Sequence, residues 1–157
     1  MSWHDKVVIV TGGGSGMGRD VCLALGRAGA RVVLGNRSAS AAQAVAETIV
    51  AAGGQAVFRT TDVSRAEDCA ALVQLAMDRY GRLDAAFNNA GLQREFNAVH
   101  DTPVEDLSEV IDINLKGVLY MMKYETAAML QSGGGAIVNN SSVFGLKAMP
   151  QTAYYVA

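Results

Sequence analysis

The chain has 157 residues, half of them hydrophobic and 18% charged, a composition that belongs to a folded domain and excludes a disordered one. A net charge of −2 with no basic stripe excludes nucleic acid as the expected partner. No N-terminal apolar segment resembles a secretion signal, and no apolar run approaches the ~20 residues of a membrane helix, so a cytoplasmic protein with no membrane contact is expected.

In chain order, short apolar runs alternate with longer segments of helical period. KVVIVT (6–11) comes first, then a helical stretch over 17–28 with Val21, Leu25 and Ala28 at helical spacing. RVVLGN (31–36) is followed by an alanine-rich helix over 40–52 that Gly53 and Gly54 stop. After QAVFRT (55–60), the sequence predicts a helix that opens on a capping box, Ser64 to Glu67, and ends near Tyr80. After LDAAFNN (83–89), the next helix opens on a second capping box, Thr102 to Glu105, with Pro103 in its first turn. From Asp112 to Gln131, Leu115, Val118, Leu119 and Met122 make one helical face, and Met121, Met122 and Met129 read as packing. Ser132 to Gly135 end that helix, and GAIVNNSS (135–142) is the fifth run.

Strands alternating with helices give an α/β fold. The expectation is a Rossmann-like, doubly wound parallel sheet of five strands, one domain over residues 1–157. A fifth apolar strand at a sheet edge is an aggregation liability, so the chain reads as unfinished. Cys22 and Cys69 fall in helical segments and match no metal spacing, so they read as reduced, buried thiols. His4 and His100 have no paired ligands nearby, and no metal is expected.

The first strand runs directly into T-G-G-G-S-G-M-G, Thr11 to Gly18. A glycine turn between a strand and a helix N-terminus is an anion site, because backbone N–H groups and the helix dipole face outward. Gly12, Ser15, Gly16, Met17 and Gly18 are therefore candidates for holding a pyrophosphate.

The spacing of that turn resembles the short-chain dehydrogenase/reductase family in its classical form. Three further stretches agree, in the family's order: Asn88-Asn89-Ala90-Gly91 after the fourth strand, Asn114 in the long helix, and Ser142 with Tyr155 thirteen residues later. Tyr155, not Tyr154, matches the family's tyrosine. The family continues as tyrosine, three residues, lysine, which would place a lysine at position 159, beyond Ala157.

The resemblance implies hydride transfer between NADP(H) or NAD(H) and a ketone or secondary alcohol. Such a reaction needs a positioned acid/base for the substrate oxygen. A phenol with pKa near 10 is ionised in roughly one molecule in a thousand at neutral pH, and a neighbouring ammonium raises that fraction. By resemblance, Tyr155 is the acid/base, the lysine tunes it, Ser142 polarises the substrate oxygen, and Asn114 holds a water of the proton relay. The resemblance also implies C-terminal strands and a lid beyond these residues, so the 157 residues alone are expected to lack normal activity.

By the same resemblance, Asn89, Ala90 and Gly91 line the cofactor while Asn88 braces the central strands. Asp62 and Val63 resemble the adenine contact. Asn36 stands where NAD-preferring relatives carry aspartate; it does not repel a 2′-phosphate, and the adjacent Arg37 can pair with one, so NADP is favoured over NAD. Ser15, where many NADP users carry a basic residue, pulls the other way. Segments 92–101 and 146–153 leave strand ends and are expected to form two walls of the substrate pocket, with Tyr154 as packing or wall. A homodimer or homotetramer is implied for a longer chain. The rival reading is a non-catalytic nucleotide-binding or interaction protein, against which Ser142 and Tyr155 argue. A methyltransferase-like domain shares the glycine turn but gives no reason for the other motifs.

Overall fold

A computed structural model of the chain describes residues 2–156. The strands are β1 (Val7–Thr11), β2 (Arg31–Asn36), β3 (Gln55–Thr60), β4 (Ala85–Asn88) and β5 (Ala136–Asn139). They form one parallel sheet in the order β3-β2-β1-β4-β5. The helices are α1 (Gly16–Arg27), α2 (Ala39–Ala51), α3 (Ala66–Tyr80), α4 (Val104–Val110), α5 (Gly117–Gln131) and α6 (Ala153–Val156). Among the described residues no helix is long and apolar enough to cross a membrane.

The central strands β1 and β2 are apolar and buried because both sheet faces are covered there, whereas the edge strands β3 and β5 are partly exposed. Side chains alternate across a strand, and β1 divides accordingly. Val7 and Ile9 face α3 and α5 with Leu72, Ala76, Ile113 and Met121. Val8 and Val10 face α1 and α2 with Cys22, Leu25, Val45 and Ile49. Val33 joins the first core, and Val32 and Leu34 join the second. Both cysteines are free and buried, and burial pushes each thiol up to about 12. They stay protonated and act as small apolar groups.

Helix ends depart from the sequence reading in two places. Neither capping box forms. Ser64 donates its backbone N–H and its hydroxyl to one Asp62 carboxylate oxygen, at 3.0 and 2.7 Å. A charged acceptor outcompetes the helix for that hydroxyl, and α3 begins after Arg65 with no side-chain cap. Thr102 donates its hydroxyl back to the Ala98 carbonyl at 3.1 Å, and α4 begins after Pro103.

The helix between β4 and β5 is also not a uniform α-helix. A π-turn, Ile111–Lys116, joins α4 to α5, with helical backbone at both junctions. The extra residue rotates the buried line of the helix. Ile113, Gly117, Met121, Glu125, Ala128 and Met129 face inward. Leu115 and Leu119, read as one face with Val118 and Met122, are instead 48% and 55% exposed. In α1, likewise, the buried line is Gly18, Cys22, Leu25 and Gly26, and Ala28 lies outside as the C-cap.

Candidate active site

Between β1 and β4 the strand order reverses, and segments leaving the carboxyl ends of the two strands diverge around a crevice. Here it is a cleft of about 960 Å³. Gly12, Ser15 and Met17 line it after β1, Asn36 and Arg37 after β2, Asp62 and Val63 after β3. Asn89, Ala90 and Gly91 line it after β4, and Asn114, Ser142, Tyr154 and Tyr155 complete it. Of the residues singled out from the sequence, Gly16 and Gly18 do not line it.

Those two glycines shape the turn instead. Gly12 and Gly16 have φ of +67° and +50°, a region that disfavours side chains. A Cβ on Gly18 would lie 2.3 Å from the Gly12 carbonyl oxygen, so only glycine lets α1 close onto the strand end. Ser15, the N-cap of α1, makes no side-chain cap, and the first turn carries no acidic residue. The hydroxyl and helix-start N–H groups thus remain free for an external anion, and the cradle fits the phosphates of a dinucleotide.

The opposite lip is held by side chains the sequence reading did not single out. Thr11 Oγ1 accepts the backbone N–H groups of Asn89 and Ala90, both at 3.0 Å. Asn140 Nδ2 donates to Asn89 Oδ1 at 3.2 Å. Asn88 does brace the sheet: its Nδ2 donates to Asn139 Oδ1 at 3.0 Å and to Glu125 Oε2 at 2.9 Å. Glu125 is 0% exposed. Burial raises its carboxyl to about 7, against the opposing pull of the Asn88 hydrogen bond. Glu125 Oε1 and Asn88 Oδ1 are both buried acceptors with no partner. Thr11 was visible within the glycine motif; nothing in the helix sequence, which also carries Lys123 and Thr126, marked Glu125 as buried.

Asn114 lies in the π-turn. Its Oδ1 accepts the Leu92 N–H at 2.9 Å and its Nδ2 donates to the Leu92 carbonyl at 2.8 Å. The amide therefore grips the chain just after Gly91. Ser142 Oγ accepts the Phe144 N–H at 3.2 Å, which caps the short turn Val143–Gly145. A hydroxyl used as acceptor keeps its own proton to donate. Phe144 stands edge-on to Tyr155, with ring centroids 6.1 Å apart, and Phe96 stands edge-on to Phe144 at 6.0 Å. Tyr154 is buried, and its hydroxyl donates to the carbonyls of Arg94 and Glu95 at 2.5 and 3.0 Å. Both tyrosines border the cleft, but the Tyr154 hydroxyl is committed to these backbone carbonyls.

At the end of β2, Asn36 Nδ2 donates to the Ser38 carbonyl at 3.1 Å, and Arg37 pairs with Glu109 at 3.6 Å. Asp62 serves the entry to α3 through Ser64 while also bordering the cleft.

Known proteins with similar sequence and structure point one way. The chain is 41% identical to a cyclohexanol dehydrogenase of Acinetobacter sp. (strain SE19), over 99% of this chain and 62% of that protein. It is 38% identical to a 3beta-hydroxysteroid dehydrogenase of Mediterraneibacter gnavus, over 99% of this chain and 56% of that one. Its fold superposes on an NAD+-bound xylitol dehydrogenase with a TM-score of 0.94 at 30% identity, covering 99% of this chain and 60% of that structure. A short chain dehydrogenase/reductase from Burkholderia phymatum in complex with NAD gives a TM-score of 0.95, also at 30% identity, covering 99% of this chain and 56% of that structure. The chain thus spans about 60% of the length of such relatives. The short chain dehydrogenase family model matches residues 6–157, and the chain belongs to that family.

Proposed function

We propose that the whole protein is an NAD(P)-dependent oxidoreductase that interconverts a ketone and a secondary alcohol, and that residues 1–157 form its dinucleotide-binding part. The observation that carries this reading is the convergence of the glycine turn, Ser142 and Tyr155 on one cleft at the strand-order reversal. When bound, the nicotinamide supplies or accepts the hydride. The residues of this chain have three tasks: to bind the dinucleotide, to hold the substrate oxygen, and to move one proton.

The cradle at Gly12 and the start of α1 takes the phosphates. Asn89 to Gly91 line the cleft beside it, held in place by Thr11, and Asp62 and Val63 border the adenine end. Ser142 donates its remaining hydroxyl proton to the substrate oxygen, where charge builds during reduction. Tyr155 donates a proton to that oxygen on reduction and takes it back on oxidation. A lysine four residues after Tyr155, as in the family pattern, would favour the phenolate. Asn114 is spent on Leu92, so its support for a relay water falls to whatever capacity its amide has left.

For the cofactor, a neutral Asn36 beside Arg37 supports NADP(H) over NAD(H). The two structural neighbours described above hold NAD, which supports acceptance of NAD(H) as well. Buried, protonated thiols at Cys22 and Cys69 suit a cytoplasmic setting. Exposed Leu115 and Leu119 support a homo-oligomer of the whole protein.

The test is turnover of secondary alcohols by the full-length protein. Tyr155→Phe is expected to lower kcat by roughly a hundredfold or more with cofactor affinity retained, and Ser142→Ala by a smaller factor. An isolated 1–157 chain is expected to show no appreciable turnover. Full activity in Tyr155→Phe would overturn the assignment.

A further inference from the structure

Arg37, the residue offered to a 2′-phosphate, is already engaged. Its Nη1 stands 3.6 Å from Glu109 Oε1. The other oxygen of Glu109 accepts from Arg94 Nη2. Arg94 Nε in turn stands 3.3 Å from Asp106 Oδ1. Four alternating charges therefore run from the end of β2, through α4, to the segment after β4. Glu109 immediately precedes Val110 and Ile111, which line the cleft together with Arg37 and Ser38.

We infer that Glu109 is a specificity-determining residue that sets how strongly the site prefers a nucleotide bearing a 2′-phosphate. This rests on the nicotinamide reading given above. A phosphate dianion reaching Arg37 must share that guanidinium with a carboxylate, and the carboxylate repels it. At 3.6 Å the Arg37 contact is an ion pair without a hydrogen bond, whereas Arg94 donates directly to Glu109. Arg94 therefore holds much of the Glu109 charge, and Arg37 is only partly occupied. Asn36 and Ser15, the other residues at issue in cofactor choice, are neutral, so they leave the local charge balance to this chain. The pair is exposed, with side-chain exposures of 61% for Arg37 and 33% for Glu109, and is worth little to stability. Its effect emerges when a charged ligand is placed against it, as charge complementarity acts more on selection than on the resting fold.

The experiment measures dissociation constants of NADPH and NADH for the full-length protein at low ionic strength. Glu109→Gln is expected to tighten NADPH by roughly three- to tenfold and leave NADH within about twofold. Arg94→Gln, which releases the Glu109 charge toward Arg37, is expected to weaken NADPH selectively, the opposite sign. In an Arg37→Ala background the gain from Glu109→Gln is expected to shrink. The selective shift should also diminish as salt rises. A shift equal for both nucleotides, no shift, or the same direction for Glu109→Gln and Arg94→Gln would each overturn the inference and leave the nicotinamide reading standing. Failure of the unsubstituted protein to bind either nucleotide would overturn both.

Discussion

At the scale of single residues, Glu125 is the side chain whose energetics are most exposed to test. A glutamate in the unfolded chain ionises near 4.5, and the buried one near 7. Between those values the unfolded chain gives up a proton that the folded chain keeps. Stability therefore falls as pH rises from about 4.5 to about 7 and levels off above, by up to about 3 kcal/mol from this group. Glu125→Gln cannot ionise, so the difference in unfolding free energy between variant and parent should grow in favour of the variant across that window. Denaturant titrations at its two ends check this; parallel pH profiles would count against it. The neutral acid also offers a donor among buried atoms that otherwise include two unpartnered acceptors, Glu125 Oε1 and Asn88 Oδ1. Neither fact was legible in the sequence. A lone Glu among Tyr124, Thr126 and Ala127 reads as a solvated helix position, and its burial depends on how the helix is rotated. By contrast, Gly12, Asn89, Ser142 and Tyr155 were legible, because their spacing along the chain carries their placement.

At the scale of elements, the π-turn decides that rotation. It sits where Asn114 reaches across to Leu92, and single-turn π segments recur at functional sites. The apolar period marked a face through Leu115 and Leu119, but the buried line of the same helix runs along another side, through Gly117, Met121 and Glu125. Capping failed for a related reason: Ser64 had a better acceptor in Asp62, and Thr102 in Ala98. Strand and helix existence was legible throughout, since runs bounded by glycine leave little choice. The Asn114 grip is expected to be what orders the segment after β4. Asn114→Ala removes two hydrogen bonds to the Leu92 backbone, worth about 1 kcal/mol each. Amide exchange at Leu92, whose N–H Asn114 accepts, should then accelerate by roughly tenfold or more, with exchange in β1 and β2 unchanged. Uniform acceleration would mean the residue merely stabilises the whole fold.

At the scale of the whole molecule, strand order was not readable from the apolar runs themselves. Each run is apolar on both faces, so its pattern does not say which neighbour it takes. The order β3-β2-β1-β4-β5 places every strand's carboxyl end on one rim and makes the cleft possible. On that rim, the segments following β4 and β5 are tied together by Tyr154 and by the edge-on stack of Phe96, Phe144 and Tyr155. In the full-length protein, Tyr154→Phe is expected to lower kcat severalfold with little change in cofactor affinity, as stopped-flow reduction and equilibrium binding would show separately. Loss of cofactor binding instead would place Tyr154 in the fold rather than in alignment. Tyr154 and Tyr155 share a backbone, so the hydrogen bonds of one restrain the reach of the other. If substrate enters or leaves by parting those two segments, the same displacement carries the proposed acid/base out of register. Traffic through the cleft and the proposed proton transfer within it would then exclude one another in time, so that a protein with this activity commits to one before it can do the other.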